Sequence, residues 1–239
     1  MQQDGAQKRF YREATPVALE TGGWGVQLDR FRVRTPARSV LSVPTAALAE
    51  ALAVEWGAQG DVVVPATMPL TRLVNVALDR TPVTREEIVA GMAGYVHGDL
   101  TCYRTPAPAE LAARQQAAWD PVHDWVDARF GARPRVTTGL DALTQPEPLE
   151  PGFLAAARSL DDLRLTALAS VTGIAGSAFL GLGLVERVFE AATVFAAIRI
   201  EEEWQAQVWG RDSDDDARAA ARQADIEAAA RLVAGLDLA

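Results

Sequence analysis

TRLVNVALDRTPVTREEIVAGMAGYVH, residues 71–97, is the stretch that decides the fold class of this 239-residue chain. Leu73, Val76 and Ala77 recur at helical spacing, so Thr71 to Arg80 is expected as a helix. Thr84-Arg85-Glu86-Glu87 then has the pattern of a capping box, in which a hydroxyl and a carboxylate three residues apart satisfy each other's unpaired amides. It predicts a new helix from Thr84 to about His97. Upstream of this stretch strands and helices are mixed; downstream nearly every segment reads as helix. The chain is therefore expected to be α+β: a small β-rich α/β N-terminal domain over residues 1–82, then a mostly α-helical C-terminal domain over residues 83–239.

Working toward the amino terminus, Trp24, Val26 and Leu28 alternate with small or polar residues, which predicts a strand. Asp29-Arg30 turns the chain into a second alternating run, Phe31, Val33 and Thr35, and Val40 to Val43 adds another candidate. Pro44 is placed in the first turn of a helix, TAALAEALAVEWGAQ. Asp61 to Val64 is a short β-branched run. Toward the carboxyl terminus, helices are expected over Pro106 to Ala118, with Leu111, Gln115 and Trp119 in register, and from Asp120-Pro121 to Gly131 with Trp125 and Phe130. Arg135 to Thr138 reads as a short extended piece and Gln145 to Pro151 as a proline-rich loop. Further helices start near Pro151, Leu160, Gly176 and Glu186, and a last one runs from Asp214 to Leu236.

Composition narrows the function. The net charge is −9, whereas phosphate binding needs a basic surface, so nucleic acid is excluded as a partner. Lys8 is the only lysine, so nearly all cations are arginine forks, which suit carboxylates. Cys102 is the only cysteine; no intrachain disulfide can form, and a reducing compartment is expected. The amino terminus, MQQDGAQKRFYREA, lacks the apolar core of a secretory signal. Leu165 to Val185 is uncharged and long enough to span a bilayer, yet it contains eight Gly, Ser or Thr residues and lacks an aromatic belt. Two buried helices broken near Thr172-Gly173 are expected instead, with no membrane insertion.

Catalytic equipment is sparse. The two histidines are His97 and His123. His97, Asp99 and Cys102 match no zinc spacing. Asp212 to Asp216 sets carboxylates at alternate positions as a calcium loop does, but Ala217 stands where glycine is needed and Gln223 where the bidentate glutamate belongs. Helix-initiating acid, with Ser213 or Asp214 as cap, fits better. GSAFLGLG, residues 176–183, has no lysine and follows no strand, which argues against a phosphate loop. No metal, nucleotide or other cofactor is expected. The one constellation that resembles a small-molecule pocket is Tyr95, Asp99, Tyr103 and Arg104; a binder or cryptic enzyme built on it is the alternative reading.

One segment has a different character. IRIEEEWQAQVWG, residues 198–210, sets Glu201, Glu202 and Glu203 beside Trp204, Gln205 and Trp209. At helical spacing Ile200, Trp204 and Val208 share an arc, the expected core face, with Glu201 at its edge. Trp209 falls on the far side, flanked by Glu202 and Gln205. So large an aromatic away from its own core stripe needs a second surface, in this chain or in another.

The motifs also form an ordered series. Lys8-Arg9-Phe10-Tyr11 precedes the strand pair with Leu28-Asp29-Arg30 and Arg34-Thr35-Pro36-Ala37. Val43-Pro44-Thr45, Glu55-Trp56 with Gln59, and Thr67-Met68-Pro69-Leu70-Thr71 come next. Tyr95 with Asp99-Leu100, Tyr103-Arg104, Gln115 with Trp119-Asp120-Pro121, Gly176-Ser177, and Glu201 to Gln205 with Trp209-Gly210 complete it. This series, from about Lys8 to Gly210, resembles the chaperone family that assembles the soluble catalytic sector of F-type ATP synthase by holding its free α subunit. The resemblance implies an α/β then helical fold, no catalysis, and the α subunit as partner, held before it meets its β neighbour. The family's L-E-x-x-F-Q type motif falls on Glu201, Trp204 and Gln205, with Ile200 and Trp204 departing mildly. Together with Glu202 and Trp209 these are the expected contacts. The family's E-W-x-x-Q falls on Glu55, Trp56 and Gln59, expected as structural residues near the junction of the two parts. The acidic run does not follow the family. A monomer when free is expected, in the bacterial cytoplasm, or in the mitochondrial matrix if the chain is a processed organellar form.

Overall fold

A computed structural model describes residues 7–210 and 213–237. Two small antiparallel sheets open the chain. β1 (Gln7–Lys8) pairs with β5 (Val62–Val63), and β2 (Ala14–Ala18), β3 (Trp24–Leu28) and β4 (Phe31–Arg32) form a meander with β3 in the centre. In β3 the alternation holds, with Val26 and Leu28 buried. Phe31 does not follow it, being 51% exposed. Val40 to Val43 supplies only isolated bridges, Val40 to Arg34 and Val43 to Trp24, in place of a strand.

Ten helices follow or interleave among the described residues: α1 (Ala46–Gly57), α2 (Pro69–Asp79), α3 (Thr81–His97), α4 (Ala109–Phe130), α5 (Leu149–Ser159), α6 (Asp162–Ala175), α7 (Ala178–Val185), α8 (Ala191–Ile198), α9 (Ile200–Trp209) and α10 (Ser213–Leu236). The α+β class is as expected, with the strands confined to the amino-terminal part. Several boundaries move for local reasons. Pro44 lies outside the first turn of α1, because the Thr45 hydroxyl accepts from Leu48 N at 3.2 Å and is the cap. The capping box at Thr84 is not used. Pro82 sits in the first turn and pre-sets helical φ, so α3 begins at Thr81. Thr84 instead donates to the Arg80 carbonyl at 3.0 Å, and Arg85 reaches across to Asp162 at 2.7 Å.

The two helices expected around Asp120-Pro121 are one, α4, with Pro121 inside it. A proline forfeits one backbone hydrogen bond. Against that, Leu111, Gln115, Trp119, Val122, His123 and Val126 line a single buried face on both sides of it. Gly131, with φ +76°, ends the helix in the left-handed conformation. The break in the uncharged run also shifts, from Thr172-Gly173 to Gly176 (φ +61°), after which Ser177 caps α7. Gly173 stays helical. All eight residues of α7 are buried. A side chain at Gly181 would come within 2.4 Å of the Thr172 hydroxyl, so glycine lets α6 and α7 touch. No described helix is long and apolar enough to cross a membrane.

A single hydrophobic cluster runs from Tyr11 through Leu48, Val74, Trp119 and Phe179 to Leu236. The last helix closes it. α10 returns to α1, where a Cβ on Gly235 would lie 3.3 Å from Leu48, and the Thr45 hydroxyl donates to the Gly235 carbonyl at 2.6 Å.

Candidate functional site

Glu55 and Trp56 stand in the last turn of α1 and Gln59 just beyond it; the side chains of Glu55 and Gln59 are hydrogen-bonded within the chain, while Trp56 Nε1 is buried without a partner among the described residues. α2 starts after Met68, whose side chain cannot cap it. Glu55, 7% exposed, supplies the missing acceptor from the neighbouring helix: its carboxylate takes Leu70 N, Thr71 N and the Thr71 hydroxyl, each at 2.8 Å. A negative charge is favoured at a helix amino terminus, and Glu55 satisfies its first free amides. Gln59 holds the following loop, accepting from Val64 N at 2.8 Å and donating to the Glu55 carbonyl at 3.1 Å and Thr67 at 3.2 Å. The Trp56 ring meets Tyr11 edge-on at 6.0 Å, and its carbonyl accepts the Tyr11 hydroxyl at 2.8 Å.

Within the constellation Tyr95, Asp99, Tyr103 and Arg104, the last three are held by bonds inside the chain. Asp99 is fully buried and accepts from Thr101 N at 3.0 Å, the Thr101 hydroxyl at 2.7 Å, Ser177 at 2.8 Å and Phe179 N at 3.1 Å. It thereby ties the Leu100–Cys102 turn to the start of α7. Tyr103 accepts Leu143 N at 3.1 Å, and Arg104 pairs with Asp120 at 2.6 Å. Tyr95 is 38% exposed, and Arg104 Nη2 is buried without a hydrogen-bond partner among the described residues. His123 completes the cluster, its Nε2 2.9 Å from the Thr101 hydroxyl. Because that hydroxyl donates to Asp99, Nε2 carries the proton and Nδ1 is left bare, buried without a partner. Burial pushes Asp99 up to about 6 and His123 down to about 4. Burial, with the Asp99 charge, raises the Cys102 thiol, which keeps it unreactive. His97 is not a ligand here; it lies 2.8 Å from Glu150. Among the described residues no group of three metal-ligating side chains comes together.

The acidic helix differs from its expected geometry. No residue of α9 is buried, and Val208, placed on the core arc, is 52% exposed. Polar contacts dock the helix. Arg199, 6% exposed, precedes it and pairs with Glu202 at 3.0 Å and Glu203 at 2.9 Å. Arg222 of α10 reaches both Glu202 oxygens at 2.9 Å. Glu201 accepts from Gln115 of α4 at 2.7 Å, while the other end of Gln115 accepts Thr105 N at 2.8 Å. The helix dipole favours all three carboxylates in its first turn.

Trp204 and Trp209 meet edge-on at 5.9 Å, and Trp209 is 73% exposed. Among the described residues, Trp209 meets Trp204 and borders a cleft with Arg199, Glu202, Gln205, Asp215, Asp216 and Arg222. Arg199 was legible as a partner at i+3 and i+4 from the glutamates. Arg222, twenty residues away, had no signal in the sequence. The acidic run continues the same pole, with Asp214, Asp215 and Asp216 in the first turn of α10. The helix opens at Ser213, so neither Ser213 nor Asp214 stands outside it as a cap; Asp212 lies outside the described residues.

The sequence profile of the ATP12 chaperone protein matches residues 8–127. The crystal structure of Atp12 from Paracoccus denitrificans is similar at 37% identity and a TM-score of 0.86, covering 96% of this chain and 98% of that one. A structure from Agrobacterium tumefaciens is similar at 36% identity and a TM-score of 0.89, covering 97% of this chain and 87% of that one. An aspartate-to-lysine mutant of the Paracoccus denitrificans protein matches at 37% identity and a TM-score of 0.85, covering 96% and 97%.

Proposed function

This chain belongs to the ATP12 chaperone family, and from that premise we propose that it holds the free α subunit of F-type ATP synthase until the β subunit replaces it. An unassembled α subunit exposes a subunit interface that is in part apolar, and such a surface aggregates unless covered. The cover must be reversible, so aromatic and polar contacts suit it better than a wide apolar seam. The observation that carries the reading is the surface of α9. Trp209 projects beside a first turn of three carboxylates, on a helix that buries none of its own residues.

In this reading Glu201, Glu202, Trp204, Gln205 and Trp209 meet the client. Glu55, Trp56 and Gln59 support the fold without touching it. The chain acts without cofactor or catalysis and is a monomer when free. It works in the bacterial cytoplasm, or in the mitochondrial matrix if it is a processed organellar form.

The test is co-expression with the α subunit, scoring soluble α, with circular dichroism of each purified variant. Glu201→Gln retains an oxygen for Gln115 and keeps the fold, but weakens any contact to a client cation. Glu201→Lys brings like charges together at such a contact and costs several kcal/mol of binding, on the order of a hundredfold or more. Both variants keep native helicity, since all three residues are good helix formers. If Glu201→Lys still solubilises α, Glu201 is no contact. If it loses helicity, the Gln115 bond is its main role and the client face lies elsewhere.

A further inference from the structure

The amino-terminal sheet carries a second exposed aromatic cluster with the opposite charge. Residues 1–43 hold seven Lys or Arg against four Asp or Glu, net +3 in a chain of net −9. Phe10 is 55% exposed and Phe31 51%, and the two rings meet edge-on at 6.0 Å. The Arg30 guanidinium lies 5.1 Å over Phe31.

Asp29 builds this cluster. It turns β3 into β4 with φ +51°, and its carboxylate accepts Arg12 N at 3.1 Å and Glu13 N at 3.0 Å. That pins the segment carrying Phe10 and Arg12 against the turn carrying Arg30 and Phe31. Among the described residues no carboxylate lies within ion-pair distance of Lys8, Arg12 or Arg30. Val62, opposite Lys8 in the β1–β5 pair, adds exposed apolar surface.

Among the described residues Phe10 and Phe31, each about half exposed, meet each other, the edge of Tyr11 and the Arg30 guanidinium, and neither belongs to the core cluster. Edge-on rings framed by guanidinium groups that have no carboxylate at ion-pair distance accept a chain segment that brings large apolar side chains and carboxylates together. We propose that this face is a second docking surface, and that its occupant is an acidic segment of a partner protein bearing leucine or phenylalanine. The proposal is independent of the client's identity and of the α9 surface.

The probe is a fluorescein-labelled synthetic peptide in which glutamate alternates with leucine and phenylalanine, titrated by anisotropy into the full chain. Control peptides carry glutamine or lysine for glutamate. The glutamate peptide binds, weakens as salt is raised, and is preferred over the glutamine peptide by roughly tenfold. Phe31→Thr, which suits an exposed strand, and Arg30→Glu each weaken it by roughly tenfold while leaving the melting curve native. Glu201→Lys leaves peptide binding unchanged, so failure here is separable from failure of the α9 contact. Equal binding of glutamate and glutamine peptides overturns the proposal, as does indifference to both substitutions. Tighter binding of phosphatidylserine vesicles would assign the face to lipid. A Phe31-dependent dimer in sedimentation would assign it to a second copy of this chain. Either result replaces the proposal.

Discussion

Single side chains in this protein do work that their immediate neighbours in sequence cannot disclose. Asp99 and His123 are both buried around the Thr101 hydroxyl, and burial shifts them in opposite directions. The raised Asp99 favours the fold when protonated, so its stabilisation is present below the ordinary carboxylate range and is lost as pH rises toward about 6. The lowered His123 favours the fold when neutral, so its stabilisation is present above about 6.5 in the unfolded reference and is lost as pH falls through about 4. Between those limits the two contributions oppose each other. His123→Gln should therefore change a slope more informatively than a midpoint. From pH 5 to pH 7 the variant gains about 2 kcal/mol less unfolding free energy than the parent, read from urea curves at each pH. Parallel slopes for the two proteins would mean that His123 titrates as an ordinary exposed imidazole.

At the scale of elements, helix ends depend on distant partners. α2 begins at Pro69 although Met68 offers no cap, because Glu55 of α1 provides one. Glu55→Ala should leave two helix amides and a threonine hydroxyl without their acceptor, costing about 2–4 kcal/mol in the denaturant midpoint. Glu55→Gln keeps one oxygen and recovers part of that loss. A Glu55→Ala protein within roughly 0.5 kcal/mol of the parent would show that water replaces the carboxylate, as at an ordinary surface position. α9 illustrates the reverse dependence. Its apolar arc at Ile200, Trp204 and Val208 predicted a core-facing helix, yet it is held at Glu201, Glu202 and Glu203 by Gln115, Arg199 and Arg222. Of that arc Ile200 packs against the core cluster while Val208 is 52% exposed, so the carboxylates demanded by the buried Arg199 set the docking of the helix.

Across the whole molecule, the strand-bearing amino-terminal part and the helical remainder share one core cluster, and α10 reaches back to α1. We propose that the division near residue 82 is one of topology and that the two parts unfold together. Gly235→Val, at the far end of α10, puts two methyl groups against Leu48, where a Cβ already stands at 3.3 Å. It should lower stability by about 1–3 kcal/mol. The shift should be identical in far-ultraviolet dichroism, which the helices dominate, and in hydrogen exchange of the β3 amides, which reports on the amino-terminal part. Two separated transitions would instead establish independently folding domains.

Read alone, the amino-acid sequence was enough for the α+β class, the confinement of strands to the amino-terminal part, the acidic character of the α9 segment and the family. Each of these is carried by local periodicity, turn residues or the order of short motifs, and all are properties of neighbouring residues. Local rules erred where two of them competed. At Pro82 a proline in the first turn overrode the Thr84 capping box, and at Pro121 a continuous buried face overrode a helix breaker. Packing between distant segments fixed the rest: Glu55 as a cap for another helix, Asp99 and Tyr103 as internal ties, and Phe10 and Phe31 together at the surface. Those roles depend on which group lies across a packed interface, and the distance along the chain between such partners, as from Glu202 to Arg222 or Gln115 to Glu201, leaves no periodic trace.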